Sequence, residues 1–129
     1  YKKLVTETGV IYTGFLEDNT LEEIYKQATL FIFPSLYEGF GLPPLEAMAR
    51  GVPVISSDRS CLQEILQDSA LYFNPENYEE MAVAMYKGIY DKVIREKLKE
   101  NAQKLFVKYS WKTLAEETLS VYNSINQWV

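Results

Sequence analysis

Short apolar runs recur through the first 75 residues, each followed by a stretch in which apolar positions lie three and four residues apart. The runs are rich in β-branched or aromatic side chains and are bounded by turn-forming residues, as strands are. The stretches between them have helical periodicity. Alternation of strands and helices is typical of a parallel sheet covered by helices. We predict strands at 10–12, 30–33, 53–56 and 71–73, and helices at 20–28, 42–50 and 60–66.

Beyond Pro75 the pattern is helical only, with predicted helices at 78–89, 91–108 and 111–127. Asn77 is the expected start of the first of these helices and Ser110 of the third. Trp128 and Val129 either continue the last helix or fray. Large side chains in this tail recur at steps of three and four, which predicts a stripe that packs on the sheet or on a partner domain. The prediction is one α/β domain over residues 1–129 with a helical carboxyl-terminal tail. The stripe consists of Met81, Met85, Tyr86, Tyr90, Phe106, Tyr109, Trp111 and Tyr122.

The connection from the second strand to the second helix carries the main candidate chemistry. The strand stops at Pro34, and the loop that follows contains Gly39 and Gly41. Ligands of open parallel sheets bind at the carboxyl ends of strands, and glycines let the backbone approach a bound group. The free amides of Gly41 and Leu42 at the start of the helix therefore predict an anion site.

Two acidic residues belong to the same connection. Glu38 lies in the loop, and Glu46 lies about one turn inside the helix, so that both can face one pocket. The plain alternative is a sharp strand-to-helix turn whose glycines, prolines and acids only serve the turn and the helix start. The spacing of these residues alone favours neither the ligand site nor the plain turn.

Composition excludes several classes of protein. A chain of 129 residues, 47% of them hydrophobic, is long enough for one core, and it contains no membrane span or signal-peptide pattern. One cysteine, Cys61, rules out an internal disulfide and fits a reducing compartment. The absence of histidine makes Cys61 a packed side chain rather than a nucleophile, and it argues against a metal site.

Charge excludes a nucleic-acid partner, because the formal net charge is −5 and phosphates need a basic face. Between Lys26 and Lys87 the basic residues are Arg50 and Arg59 alone. A diphosphate site is expected to hold a cation near its anion-binding loop. The chain does not obviously supply one.

The sequence of residues 34–49, PSLYEGFGLPPLEAMA, closely resembles the signature of retaining, nucleotide-sugar-dependent glycosyltransferases of family 4. The resemblance continues through 51–57, 70–75 and 109–111 and covers about nine-tenths of the chain. It implies the GT-B architecture of two facing Rossmann-like domains, with this chain as most of the second, nucleotide-sugar-binding domain. No cofactor is implied beyond the nucleoside-diphosphate sugar itself.

The resemblance also implies roles for individual residues. Glu38 matches the carboxylate that lies against the donor sugar and is the expected catalytic residue, whereas Glu46 matches the one that binds the ribose hydroxyls. The residues implied to contact the donor sugar and diphosphate through backbone amides are Gly39, Phe40, Gly41 and Leu42. The residues implied to lie near the nucleobase are Thr13, Gly14, Phe15 and Leu16.

Several features of the family are not matched. Its diphosphate-binding Arg and Lys, its acceptor-binding domain and a functional His found in several relatives come from segments upstream, and Gln63 stands where relatives often have Pro. The first two strands of the sheet are expected to be missing, which leaves 30–33 as an unpaired edge. Either a rearrangement or a second copy of the chain covers this edge, or the chain is a fragment of a larger structure. The chain alone is expected to be inactive.

The leading hypothesis is therefore a donor-binding domain that, in the full-length protein, transfers a sugar with retention to a glycan or lipid-linked acceptor held by the missing domain. The expected location is the cytoplasm, with peripheral membrane attachment as a variant. The alternative is a non-catalytic module that binds a nucleotide or a protein through the same loop. A doubly wound domain with neither role is the blandest interpretation.

Overall fold

The computed structural model describes residues 9–125. They form three strands and six helices, with a 3₁₀ turn at Gln67–Ser69. The strands are β1 (Phe31–Phe33), β2 (Val54–Ser57) and β3 (Ala70–Phe73). The helices are α1 (Asp18–Gln27), α2 (Leu42–Ala49), α3 (Leu62–Leu66), α4 (Tyr78–Tyr90), α5 (Lys92–Phe106) and α6 (Trp111–Ile125).

The sheet is parallel, with strand order β1-β2-β3. Phe31 is in register with Val54, and Val54 in turn with Ala70. All four residues of β2 are buried, as expected for the central strand of a sheet covered on both faces. Because all three strands are parallel, the loops that follow them lie at the same end of the sheet, where the strands have their carboxyl ends. The 34–41 loop therefore lies beside the loop after β2.

Side chains that alternate along β2 enter two different cores. Val54 packs with Leu45, Met48 and Leu62 beneath α2, α3 and α5. The next residue, Ile55, packs with Phe73 and Ala84 beneath α4. This three-layer arrangement, with the helices of the carboxyl-terminal part completing it, confirms the predicted α/β class.

One sequence prediction near the amino-terminal end of the described residues is wrong. Residues 10–12 form no strand, and the side chains of Val10, Ile11 and Tyr12 are 57%, 84% and 66% exposed. A strand needs a hydrogen-bonding neighbour, and no described strand pairs with this segment. Helix α1 begins at Asp18 rather than at Thr20, because the carbonyl of Glu17 already accepts the first helical hydrogen bonds.

The other predicted elements are present, with ends shifted by one or two residues. Asn77 caps α4 as predicted, accepting hydrogen bonds from the amides of Glu79 and Glu80. Ser110 caps α6 by accepting the amide of Thr113 at 3.0 Å. The predicted continuation of α6 to residue 127, and the fate of residues 128–129, lie outside the described residues.

The predicted stripe of large side chains is only partly correct. Met81, Met85, Phe106 and Tyr109 pack against the two cores. The remaining four do not pack on the sheet. On α4, the buried residues Ala84 and Gly88 lie on the same face as Met81, so the side chains at 86 and 90 lie on another face. Helix α6 has no buried residue. These four exposed side chains are Tyr86, Tyr90, Trp111 and Tyr122.

Strand β1 forms one edge of the sheet, since in residues 9–125 it pairs with β2 alone. Its three residues are partly buried. Whether a second copy of the chain covers this edge stays a prediction. None of the described helices combines the length and the apolar character that crossing a bilayer requires.

Candidate functional site

The candidate site is the loop between β1 and α2. The backbone leaves β1 at Phe33 and enters α2 through Gly41, whose φ of +92° places it in the left-handed region. A residue with a side chain is disfavoured there, which is why glycine is required at this position. Two prolines then occupy the first turn of α2, where their lack of an N–H costs no helical hydrogen bond.

The backbone amides at this helix start are available to a ligand. Within residues 9–125 the amides of Gly39, Phe40 and Gly41 donate no hydrogen bond. The amide of Leu42, at the first position of α2, has no acceptor inside the helix. Together with the positive end of the helix dipole, these donors favour an anion.

The side chain of Glu38 lies at the entrance of this loop and is half-buried. In the described part of the chain its carboxylate has no hydrogen bond or ion pair with the protein. Its backbone, by contrast, is held at both polar atoms by the segment that follows β2. The carboxylate is therefore free for a ligand while the chain that carries it is anchored.

Two side chains from other elements hold the loop in place. Leu62 at the start of α3 packs so closely on Gly41 that a Cβ there would lie 2.7 Å from Leu62 Cδ2. The ring of Phe40 meets the ring of Tyr109 edge to face, with centroids 5.7 Å apart. The hydroxyl of Tyr109 in turn donates to the carbonyl of Ile65 at 3.0 Å, which fixes that ring.

The second acidic residue, Glu46, lies on α2 with an exposed side chain. Its backbone carbonyl accepts a hydrogen bond from Arg50 Nη1 at 2.8 Å, while its carboxylate has no partner among the described residues. The pKa of the nearby Tyr25 phenol is raised by burial and, secondarily, by the negative charge of Glu46, and it is lowered by Arg50. Glu46 thus keeps an accessible carboxylate, as a diol-binding role requires.

The first two basic residues that follow the loop in sequence are already engaged. Arg50 pairs with Glu22 and lies 4.9 Å from the ring centroid of Tyr25. Arg59 donates to Asn74 Oδ1 at 2.9 Å and to Glu76 at 3.2 Å. Neither guanidinium is therefore a free cation for a diphosphate, in line with the sequence expectation.

The segment expected near the nucleobase is irregular. Gly14 has a φ of +65°, the hydroxyl of Thr13 donates to the carbonyl of Gly14 at 3.3 Å, and the side chain of Phe15 is 95% exposed. Leu16 is partly buried. A role of these residues in base binding stays a prediction.

Sequence reasoning missed Ser60, Cys61 and Tyr109 as supports of the loop. The usable signal for the first two was topological, because the loops after neighbouring parallel strands meet at the same sheet edge. For Tyr109, which was assigned to a packing stripe, the sequence contains no sign that Phe40 is its partner. Among the described residues, no group of three or more cysteine, aspartate and glutamate side chains is arranged to hold a metal ion.

Comparison with known proteins identifies the family of the chain. Residues 1–105 match the family model described as glycosyl transferases group 1. The serotype-specific mannosyltransferase WbdA of Escherichia coli is 35% identical over 95% of the chain. An uncharacterised glycosyltransferase of Methanocaldococcus jannaschii is 38% identical over 88% of it.

A solved structure has the same fold. Sucrose-phosphate synthase from Thermosynechococcus elongatus superposes on 99% of the chain with a TM-score of 0.82 and 26% identity, which matches the chain to a domain of a GT-B glycosyltransferase. The chain spans 15% of WbdA, 30% of the archaeal protein and 34% of the synthase chain. By the family match and by both sequence relatives, the chain belongs to the glycosyl transferases of group 1.

Proposed function

We propose that this chain is the donor-binding domain of a retaining glycosyltransferase of family 4. In the full-length protein, an acceptor hydroxyl oxygen bonds to the anomeric carbon of a nucleoside-diphosphate sugar. The bond from that carbon to the diphosphate oxygen breaks, the nucleoside diphosphate leaves, and the hydroxyl proton passes to a base or to the departing phosphate. The observation that carries this proposal is that the backbone amides of residues 39–41 donate no hydrogen bond within the described residues. The free carboxylates of Glu38 and Glu46 lie on either side of them in sequence.

The diphosphate is assigned to the start of α2. The amides of Gly39, Phe40, Gly41 and Leu42 supply hydrogen-bond donors that water or a phosphate must satisfy, and the helix dipole adds to the attraction. Such a site stabilises the negative charge that develops on the leaving diphosphate, which is where electrostatic catalysis acts. A cation is expected to join it from outside the described residues, since Arg50 and Arg59 are engaged elsewhere.

The two carboxylates divide the remaining work. Glu46, one turn inside α2 and exposed, accepts hydrogen bonds from the two ribose hydroxyls, since its two oxygens match a vicinal diol. Glu38 lies on the loop at the sugar end of the donor and faces the anomeric carbon. It acts there as a nucleophile, as a charge that stabilises an oxocarbenium-like state, or as a group that positions the sugar.

The acceptor is assigned to a part of the protein outside this chain, because the chain spans only 15–34% of the relatives compared above. Positioning the acceptor and neutralising the diphosphate supply much of the rate enhancement of a transfer reaction. We therefore expect residues 1–129 alone to transfer no sugar. A hexose is the proposed sugar, and mannose is the first to test, because the E. coli relative is named a mannosyltransferase.

The proposal is tested with the full-length protein and a panel of nucleotide sugars. A true donor raises the melting temperature by mass action, and the matching free nucleoside diphosphate is tested beside it. Transfer to a panel of glycan and lipid-linked acceptors follows with the donor so identified, and the anomeric configuration of the product is read by NMR. Transfer with retention supports the proposal. Protection without transfer to any acceptor favours a non-catalytic nucleotide-binding module, and inversion contradicts the family 4 assignment.

A further inference from the structure

The segment after β2, residues 58–61, lies against the loop that carries Glu38. Ser60 Oγ accepts the Glu38 amide at 3.4 Å and donates to the Glu38 carbonyl at 2.8 Å. The thiol of Cys61 donates to the same carbonyl at 3.3 Å. One hydroxyl therefore holds both backbone polar groups of a single residue, across 22 positions of sequence.

The backbone of Ser60 has a conformation that favours glycine, which indicates that the serine hydroxyl is needed at this position. Its φ is +56°, in the left-handed region that residues other than glycine seldom adopt. Glycine takes this conformation without strain but brings no hydroxyl. A serine there accepts backbone strain and gains the contact with Glu38, and strain of this kind is often stored at functional sites.

We propose that Ser60 is a positioning residue that sets the place of the Glu38 carboxylate in the active site. The inference rests on the transferase function proposed above. Among the described residues the Ser60 hydroxyl hydrogen-bonds only to the backbone of Glu38, so we assign its effect to that residue.

The Glu38 side chain has no polar anchor of its own in the described structure. Its carboxylate has no hydrogen bond or ion pair within residues 9–125, and its neighbours Tyr37 and Gly39 are exposed. The position of the carboxylate therefore follows from its backbone and from the bound donor. When the Ser60 contacts are lost, the loop gains freedom close to the anomeric carbon. A displacement of about 1 Å at a reacting group is enough to slow an enzyme by about a hundredfold.

Two variants of the full-length enzyme separate the hydroxyl from the backbone. Ser60→Ala removes the hydroxyl and keeps the Cβ at positive φ, whereas Ser60→Gly removes the hydroxyl and relieves the strain. Both are expected to lower kcat about ten- to a hundredfold, with the donor KM changed less than about threefold. Ser124→Ala is the matched control, because this hydroxyl is exposed on α6 and bonds only to its own helix. That variant is expected to keep normal kinetics.

A double-mutant cycle tests whether Ser60 works through Glu38. In a Glu38→Gln background, Ser60→Ala is expected to lower kcat by less than about threefold, because the group that it positions is already impaired. Full additivity overturns the proposal. Amide hydrogen exchange gives a readout without turnover: the Glu38 amide, which donates to Ser60 Oγ, is expected to exchange faster in Ser60→Gly than in wild type, and unchanged exchange of this amide also overturns the proposal.

The outcomes separate this inference from the proposed function. A wild-type protein with no transferase activity overturns both. An active wild type in which Ser60→Gly has normal kcat overturns the positioning role and leaves the transferase assignment standing. Should Ser60→Ala fail to fold, Ser60→Gly still decides the question, because glycine suits the backbone at this position.

Discussion

Leu62 Cδ2 occupies the space beside Gly41, where an added Cβ would lie only 2.7 Å away. Together with the φ of +92° at Gly41, this contact means that neither the backbone nor the surroundings of that residue tolerate a side chain. The contact also joins the first residue of α3 to the last loop residue before α2. The amides assigned to the diphosphate are thus held by the same packing that buries Leu62 in the core.

Gly41→Ala is therefore expected to lower the stability of the protein by about 1–3 kcal/mol, from strain at positive φ and from overpacking. Gly39→Ala is the control, since it has no atom within 4 Å of its added Cβ and no positive φ. Thermal unfolding of the full-length protein measures both. Combining Gly41→Ala with Leu62→Ala makes room and is expected to cost less than the sum of the single changes. Equal effects of the two glycine variants would contradict the steric argument.

Glu46→Ala is expected to weaken binding of the nucleoside diphosphate by about 1.5–3 kcal/mol, or roughly ten- to a hundredfold, from the loss of charged hydrogen bonds to the ribose diol. Isothermal titration calorimetry on the full-length protein measures this change. Glu100→Ala, which removes an exposed carboxylate from α5, is the matched control. An unchanged dissociation constant in a folded Glu46→Ala protein would refute the ribose assignment.

The phenol of Tyr72 is expected to make the free energy of unfolding fall at alkaline pH. Its hydroxyl donates to the carbonyl of Gln67 at 2.6 Å, and its pKa is raised by burial first and by the carboxylate of Asp68 second. The stabilisation is complete below the ordinary tyrosine pKa of about 10 and is lost as pH rises above it, because the unfolded phenol ionises first. Urea unfolding of the full-length protein between pH 7 and pH 11 is expected to show this decline, and to show less of it in Tyr72→Phe.

The control for this measurement is Tyr78→Phe, because the Tyr78 side chain is 74% exposed at the start of α4. Its removal is expected to leave the alkaline decline as in wild type. At neutral pH, Tyr72→Phe is expected to cost about 0.5–1.5 kcal/mol from the lost hydrogen bond. An identical pH profile in wild type and Tyr72→Phe would mean that the half-buried Tyr72 phenol does not govern the alkaline decline in stability.

The elements that local signals specify were predictable, and those that need a distant partner were not. The Asn77 cap and the α2 start at Gly41 and the prolines depend on adjacent residues, so the sequence predicts them well. The run at 10–12 has strand composition, yet a strand forms only beside another strand. The large residues at 111 and 122 have core composition, but α6 buries nothing in the described structure.

The candidate site divides in the same way. The motif that carries Glu38 and Glu46 is contiguous, so its residues were identified from the sequence. The contact of Ser60 with Glu38 spans 22 positions, and the contact of Phe40 with Tyr109 depends on how the chain after α5 returns to the loop. Neither contact leaves a mark in local periodicity. The contact of Ser60 with Glu38 is indicated only by the topology, because the loops after neighbouring parallel strands lie at the same end of the sheet.

We propose that the carboxylate of Glu38 acts at the anomeric centre during transfer. Glu38→Gln keeps the size of the side chain and removes its charge, and Glu100→Gln makes the same change on the exposed face of α5. Steady-state kinetics of the full-length enzyme with its donor measure both. We expect Glu38→Gln to lower kcat by at least about a hundredfold with little change in the donor KM, as for an interaction made in the transition state. A Glu38→Gln enzyme with normal kcat and a raised donor KM would contradict the claim and make Glu38 a ground-state ligand of the donor.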